Sequence, residues 1–140
     1  MSYEKLDVYK CAINFLSIAI NITNEMPRGQ AGLADQIKRA AMSIPLNIGE
    51  GAGKRTRADC ARYFDIARGS AMECAAAIDV CKVLSLISDD KQKSAKDLLH
   101  RIVAMLTKLA RYEATPLESR LAPPPPMPIS PTSLPTSTKS

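Results

Sequence analysis

The chain has 140 residues, 46% of them hydrophobic and 24% charged, the composition of an ordinary globular domain rather than a disordered, fibrous or membrane protein. A formal net charge of +5, with a sequence pI of about 9.1, favours polyanionic partners such as RNA, DNA or an acidic protein surface. Cys11, Cys60, Cys74 and Cys81 form no CxxC pair and no tight framework, which argues against a disulfide scaffold and suits a reducing cytoplasm.

The opening residues MSYEKLD are polar and carry acids, unlike a signal peptide. No later run approaches the ~20 apolar residues of a membrane span. A first helix is predicted over 4–25, where Leu6, Tyr9, Ile13, Leu16, Ile20 and Thr23 follow spacings of three and four on one face. Pro27 stops it, because the residue before proline avoids the α region. A short loop, Arg28 to Ala31, follows.

The second helix is predicted from Gly32 to Glu50, with an apolar stripe of Leu33, Ile37, Ala40 or Ala41, Ile44 and Ile48. Pro45 either kinks this helix or opens a loop after Ser43. The stripe continues past the proline in register, which favours the kinked helix. Gly49, Gly51 and Gly53 are then expected to break it.

Thr56-Arg57-Ala58-Asp59 has the form of a capping box. A third helix runs from there to about Ile87. It is rich in small residues, among them Ala67, Gly69, Ser70, Ala71 and Ala75–Ala77. A helical glycine costs about 1 kcal/mol relative to alanine, so Gly69 is expected at a tight helix contact. Ser88-Asp89-Asp90 caps a fourth helix and sets acids against its N-terminal dipole. Its predicted buried face is Leu98, Leu99, Ile102, Met105, Leu106, Leu109 and Tyr112.

From Pro116 the composition changes. Eight of the ten prolines lie between Pro116 and Pro135, and such a segment cannot pack a core. A disordered tail with polyproline II character is expected over 116–140, open to a proline-reading protein partner. The folding unit is thus 1–115. Four amphipathic helices with short connections predict an all-α, antiparallel up-down-up-down four-helix bundle.

Two motifs invite catalytic or nucleotide readings and fail. Gly49 to Thr56 looks like a phosphate loop, but Ile48 stands where the first glycine belongs and Arg55 where Ser or Thr belongs; a helix rather than a strand precedes it. Asp97 and His100 have the spacing used in di-iron bundles. The chain has one histidine, so one subunit cannot assemble that site, and most histidine-assisted nucleophile schemes fall with it. The reading is therefore non-enzymatic, with no catalytic residues, no metal and no cofactor.

Two other groups are candidate functional residues. Lys54, Arg55, Arg57, Arg62 and Arg68 cluster at the start of the third helix, with Arg28, Lys38 and Arg39 expected near them across the hairpin. Such a patch can hold phosphates through counterion release, and Tyr63 and Phe64 would add limited base stacking. The competing reading is a solvated face laced with ion pairs. Arg39, Ser43, Asn47 and Glu50 form a polar stripe on the second helix, with Ser70 and Glu73 on the third positioned to face it. A polar stripe in a bundle most often sets helix registry or a subunit contact.

These residues also carry a resemblance. Gln36-Ile37-Lys38-Arg39-Ala40-Ala41, Ser43-Ile44-Pro45, Asn47-Ile48, Glu50-Gly51, Ile66-Ala67-Arg68-Gly69-Ser70 and Glu73, with the opening Leu6-Asp7-Val8-Tyr9-Lys10, resemble the bacterial four-helix bundle proteins encoded in intervening sequences of 23S ribosomal RNA genes. The resemblance covers residues 4–112. It implies a left-handed up-down bundle, often a homopentamer, similar to the accessory variability protein of diversity-generating retroelements. That protein is a basic barrel that binds nucleic acid and a reverse transcriptase. The resemblance brings no catalytic residue, only structural ones: Arg39, Ser43, Pro45, Asn47, Glu50, Gly69, Ser70 and Glu73. The chain departs at its proline-rich tail and at Gly49, where the family more often has alanine. The combined expectation is a cytoplasmic homo-oligomer that binds RNA or DNA as an accessory protein. Its rival is an interaction scaffold with no nucleic-acid role.

Overall fold

Ser2, Thr56 and Ser88 open helices, and Pro27 and Pro116 lie between them. The computed structural model describes residues 1–121, 123, 124 and 126–128. Helix α1 spans Tyr3–Asn24, α2 Ala31–Ala52, α3 Arg57–Val83, α4 Asp89–Ala114 and the short α5 Leu117–Leu121, with one 3-10 turn at Arg28–Gln30. Among the described residues there is no strand.

Three helix starts are closed by side-chain caps. Ser2 Oγ accepts from the Lys5 amide at 3.2 Å, Thr56 Oγ1 from Asp59 at 3.2 Å and Ser88 Oγ from Lys91 at 3.1 Å. Each removes one orphan donor of the first turn. The end of α3 is closed differently. The Leu86 amide donates to Cys81 O at 2.8 Å and the Ser85 amide to Lys82 O at 3.0 Å, with Ser85 at φ 59°. That is a Schellman ending with serine at the left-handed position glycine usually fills.

The helix ends two residues past the expected Glu50: α2 continues through Pro45, Gly49 and Gly51 to Ala52, and Gly53 is its C-cap. The glycine that matters there is Gly51, and the reason is space. A Cβ on it would lie 2.9 Å from Tyr63 Cβ, 3.1 Å from Phe64 Cε1 and 3.2 Å from the Cys60 carbonyl oxygen. The tight contact expected at Gly69 is absent within the chain, where a Cβ would meet nothing within 4 Å. Gly69 is exposed on the outer face of α3.

Each long helix packs on the next in the chain, and α4 returns to α1. The ion pairs fix the directions. Lys5 near the start of α1 pairs with Glu113 near the end of α4 at 2.8 Å, and Lys91 near the start of α4 pairs with Glu25 at the end of α1 at 2.9 Å. These helices are therefore antiparallel. The four long helices accord with the expected bundle.

The core holds two phenylalanines, Phe15 and Phe64, among Val8, Ile37, Ile44, Ile48, Ile78, Leu99, Ile102 and Leu106, all fully buried. Burying each such side chain contributes about 1.5–3 kcal/mol. Ala12, Ala19, Ala41, Ala67, Ala71 and Ala95 fill the gaps between them. The buried face of α1 differs from the expected one: it is Val8, Cys11, Ala12, Phe15, Ala19, Ile22 and Thr23, while Leu6 and Ile13 are about 40% exposed. Helix α1 has one polar stripe, Asp7, Lys10, Asn14, Ser17, Asn21 and Asn24, and is largely apolar elsewhere, so two apolar faces compete, and the one that brings Phe15 and the small residues inward packs more closely. Tyr112 likewise lies outside the core, 56% exposed.

All four cysteines are free and buried. Burial pushes the Cys74 thiol up to about 12 and raises those of Cys11, Cys60 and Cys81. They behave as small apolar core residues. Beyond α4 the chain forms α5 where no packed element was expected. The Arg120 amide closes its turn on Pro116 O at 3.1 Å, and the Arg120 guanidinium lies 4.3 Å from the Tyr112 ring centroid. Most of the expected disordered tail, residues 122, 125 and 129–140, lies outside the described residues.

A candidate nucleic-acid interface and a polar seam

The basic candidates separate into two groups. Lys54 and Arg55 occupy the turn between α2 and α3, and Arg57 and Arg62 the first turns of α3. Lys54 Nζ lies 4.9 Å and the Arg62 guanidinium 4.7 Å from the Tyr63 ring centroid, so one half-buried tyrosine collects two cations. Lys54 also pairs with Glu50 at 3.1 Å. That hydrogen bond, with the tyrosine nearby, raises the ammonium pKa above its ordinary value and keeps it charged. Arg62 stands 4.0 Å from Asp59. Among the described residues Arg55 and Arg57 form no ion pair. Arg57 and Arg62 line a cleft of about 750 Å³ between the start of α3 and the end of α4, together with Asp65, Glu113 and Thr115.

Arg68 stands apart. It lies eleven residues beyond Arg57, about 16 Å along the helix at 1.5 Å per residue. It is half-buried, and its Nε is enclosed without a hydrogen-bond partner among the described residues. Lys38 and Arg39 are also removed from the turn, more than about 20 Å along α2 from Lys54, and do not join the patch. Phe64 is fully buried and offers no ring to a base, contrary to expectation.

The polar stripe is partly realised. Ser43 Oγ and Ser70 Oγ lie 2.8 Å apart across the α2–α3 seam. Asn47 Nδ2 donates to Ser43 Oγ at 2.9 Å and to Ser43 O at 2.8 Å. Asn47 thus orients the hydroxyl that bridges the helices. Glu50 is drawn away to Lys54. Arg39 and Glu73 are exposed and form no ion pair among the described residues.

Sequence reasoning missed a cluster that joins three helices. Lys5 Nζ, on α1, pairs with Glu113 of α4, whose side chain is only 8% exposed, and lies 5.7 Å from the Phe64 ring centroid of α3. Burial works against the Lys5 charge, but the hydrogen bond to Glu113 and the neighbouring Cys60 thiol outweigh it and raise the pKa. The partners are more than a hundred residues apart, so no local spacing could signal them. Asp79 was likewise unmarked. It accepts from Lys96 Nζ at 2.9 Å on both oxygens and from Gln92 Nε2 at 3.0 Å. Asp97 is taken by Lys93 at 2.7 Å, and His100 beside it is exposed. Among the described residues no three His, Cys, Asp or Glu side chains converge as a metal site would require, and no helix is long and apolar enough to cross a membrane.

The fold and these seams define a small helical protein whose polar residues tie helices together or sit on its surface. The chain belongs to the 23S rRNA-intervening sequence protein family, whose model matches residues 4–108. Its fold is similar to the crystal structure of a protein of unknown function from the S23 ribosomal protein family of Bacteroides thetaiotaomicron. The two are 21% identical with a TM-score of 0.72, covering 77% of this chain and 98% of that one. No curated protein matches the sequence.

Proposed function

We propose that this protein is a non-enzymatic, oligomeric helical bundle that binds RNA or DNA as an accessory to a nucleic-acid process. The observation that carries the reading is the convergence of Lys54, Arg55, Arg57 and Arg62 at the α2–α3 turn, two of them gathered on Tyr63. Glu50 and Asp59 offset part of the charge, and Arg55 and Arg57 remain for phosphate. The Tyr63 ring is engaged by the protein's own cations and Phe64 is buried. The patch therefore favours backbone contact without sequence preference over base stacking. Replacing Lys54, Arg55, Arg57 and Arg62 by glutamine is expected to weaken binding to short RNA and DNA at least tenfold, equally across sequences. With Arg55 and Arg57 as the two phosphate ligands, the slope of log K against log salt should flatten by about 2 units on duplex DNA. Unchanged binding removes the assignment.

A second reading, a protein-interaction scaffold, is favoured by the outer surface of α2 and α3. Met42, Leu46, Ile66, Met72 and Val80 are 41–69% exposed there, beside the unpaired Arg39 and Glu73. A second copy of the chain would cover both the apolar and the charged groups; the number of subunits, five, rests on the family resemblance. Light scattering tests it: Leu46→Glu with Ile66→Glu is expected to reduce the mass to that of a monomer. A native monomer at micromolar concentration rejects it.

A further inference from the structure

A groove of about 590 Å³ lies between the start of α1 and the end of α4, lined by Tyr3, Lys5, Met105, Lys108, Leu109 and Tyr112, with the carboxylates of Glu4, Asp7 and Glu113 also on its walls. Its two tyrosines are 82% and 56% exposed, an unusual outlay of aromatic surface in a chain with four tyrosines and no tryptophan. The groove shares Glu113 with the cleft that Arg57 and Arg62 line, but none of Lys54, Arg55, Arg57 and Arg62 lines it, nor does any residue of the α2–α3 seam. At its rim, α5 follows Pro116 and brings the Arg120 guanidinium over the Tyr112 ring, 4.3 Å from the centroid. Three residues later the segment 123–128 begins, reading PPPPMP. Its Pro123, Pro124, Pro126, Met127 and Pro128 are exposed, Met127 by 88%.

We infer that this groove is a binding site for a polyproline II segment, and that its occupant is the chain's own residues 123–128, docking intramolecularly. The chemistry matches on both sides. Consecutive prolines present apolar ring faces and carbonyl oxygens, and they lack N–H donors. Tyrosine rings supply flat apolar surface, and their hydroxyls, with the Lys108 ammonium, supply donors to those carbonyls. Aromatic-lined grooves take such ligands because the extended helix is already formed and little ordering entropy is lost. The segment 123–128 carries no charge, so docking depends on stacking and is insensitive to salt, unlike phosphate binding. Tethering through Arg120 provides a millimolar effective concentration, so a contact with a Kd of about 1 mM suffices to populate the docked state.

The test uses the full chain with Pro123, Pro124, Pro125 and Pro126 all replaced by serine, titrated with the peptide LAPPPPMPISP and followed by amide NMR. Saturable shifts confined to residues 2–7 and 105–112, with a Kd at or below about 1 mM, are expected. The native chain should bind the same peptide at least about twofold more weakly, because its own segment competes at a millimolar effective concentration. Adding Tyr3→Ser and Tyr112→Ser, both at exposed positions, should abolish the shifts while leaving the rest of the spectrum intact. No saturable binding, shifts elsewhere, or equal affinity in native and serine-substituted chains overturns the inference. So does competition that fades on dilution, which would assign the segment to a second copy. None of these outcomes depends on whether the basic turn binds nucleic acid.

Discussion

The two sides of α3 are held by different chemistry. Against α2 the contacts are short and neutral: the Ser43–Ser70 hydroxyl pair at 2.8 Å, Asn47 closing on Ser43, and Gly51 pressed against Tyr63 and Phe64. Against α4 they are long and charged: Asp79 with Lys96 and Gln92, and Lys82 with Asp89 at 2.9 Å. Helix α4 meets α1 in the same way, through Lys5–Glu113 and Lys91–Glu25. Small neutral groups let two backbones approach closely, and the seam then depends on shape. Long charged side chains reach across from the exposed edges of their seam, so their contribution depends on pH and salt.

The sharpest way to break this contrast is Gly51→Ala. The added methyl meets Tyr63 Cβ, the fully buried Phe64 ring and the Cys60 carbonyl oxygen, so a loss of about 1–3 kcal/mol is expected in denaturant unfolding. Gly69→Ala is the paired control. With nothing within 4 Å of its Cβ, it should gain about 0.5–1 kcal/mol. A stabilised Gly51→Ala variant would contradict the close-packed seam.

On the charged side, Glu113→Gln leaves the Lys5 ammonium half-enclosed without its counterion and is expected to cost about 1–2 kcal/mol at pH 7. The folded-state pKa of Lys5 is raised above the ordinary 10.5. The pair's contribution is therefore complete below that value and lost as pH rises through the higher folded one. The difference between native and variant should close at alkaline pH, as read from unfolding midpoints.

The smallest effects separate the seams most cleanly. A double-mutant cycle on Ser43→Ala and Ser70→Ala should give a coupling of about 0.5–1.5 kcal/mol, unchanged between low and high salt. Asp79→Asn should show the opposite pattern. Its pKa is lowered, first by the hydrogen bond from Lys96 and then by that from Gln92. Its contribution is thus present above the ordinary 3.8 and fades as pH falls through the lower folded value. It should also shrink as salt is raised.

Much of this architecture follows from local sequence. Thr56 and Ser88 start helices because a hydroxyl there satisfies a first-turn amide whatever surrounds it. The stripe Ile37–Ile44–Ile48 states its own buried face, because few other apolar residues of α2 compete with it. Family membership was legible too, through a polar stripe and a helical proline that rarely occur together. The tertiary structure decided the rest. In α1 the sequence allowed two faces, and only packing against the other helices chose the one with Phe15 and the alanines. Gly51 and Gly69 look alike in sequence, and only the neighbour across the seam separates a required glycine from a replaceable one. Of the basic candidates, the turn gathered Lys54 and Arg62 around Tyr63, while helical rise carried Arg68 and Arg39 away. Lys5 and Glu113 meet only because α1 and α4 run antiparallel at the closing seam. Local propensity acts over a few residues, whereas a contact between the chain's two ends exists only once all four helices have packed.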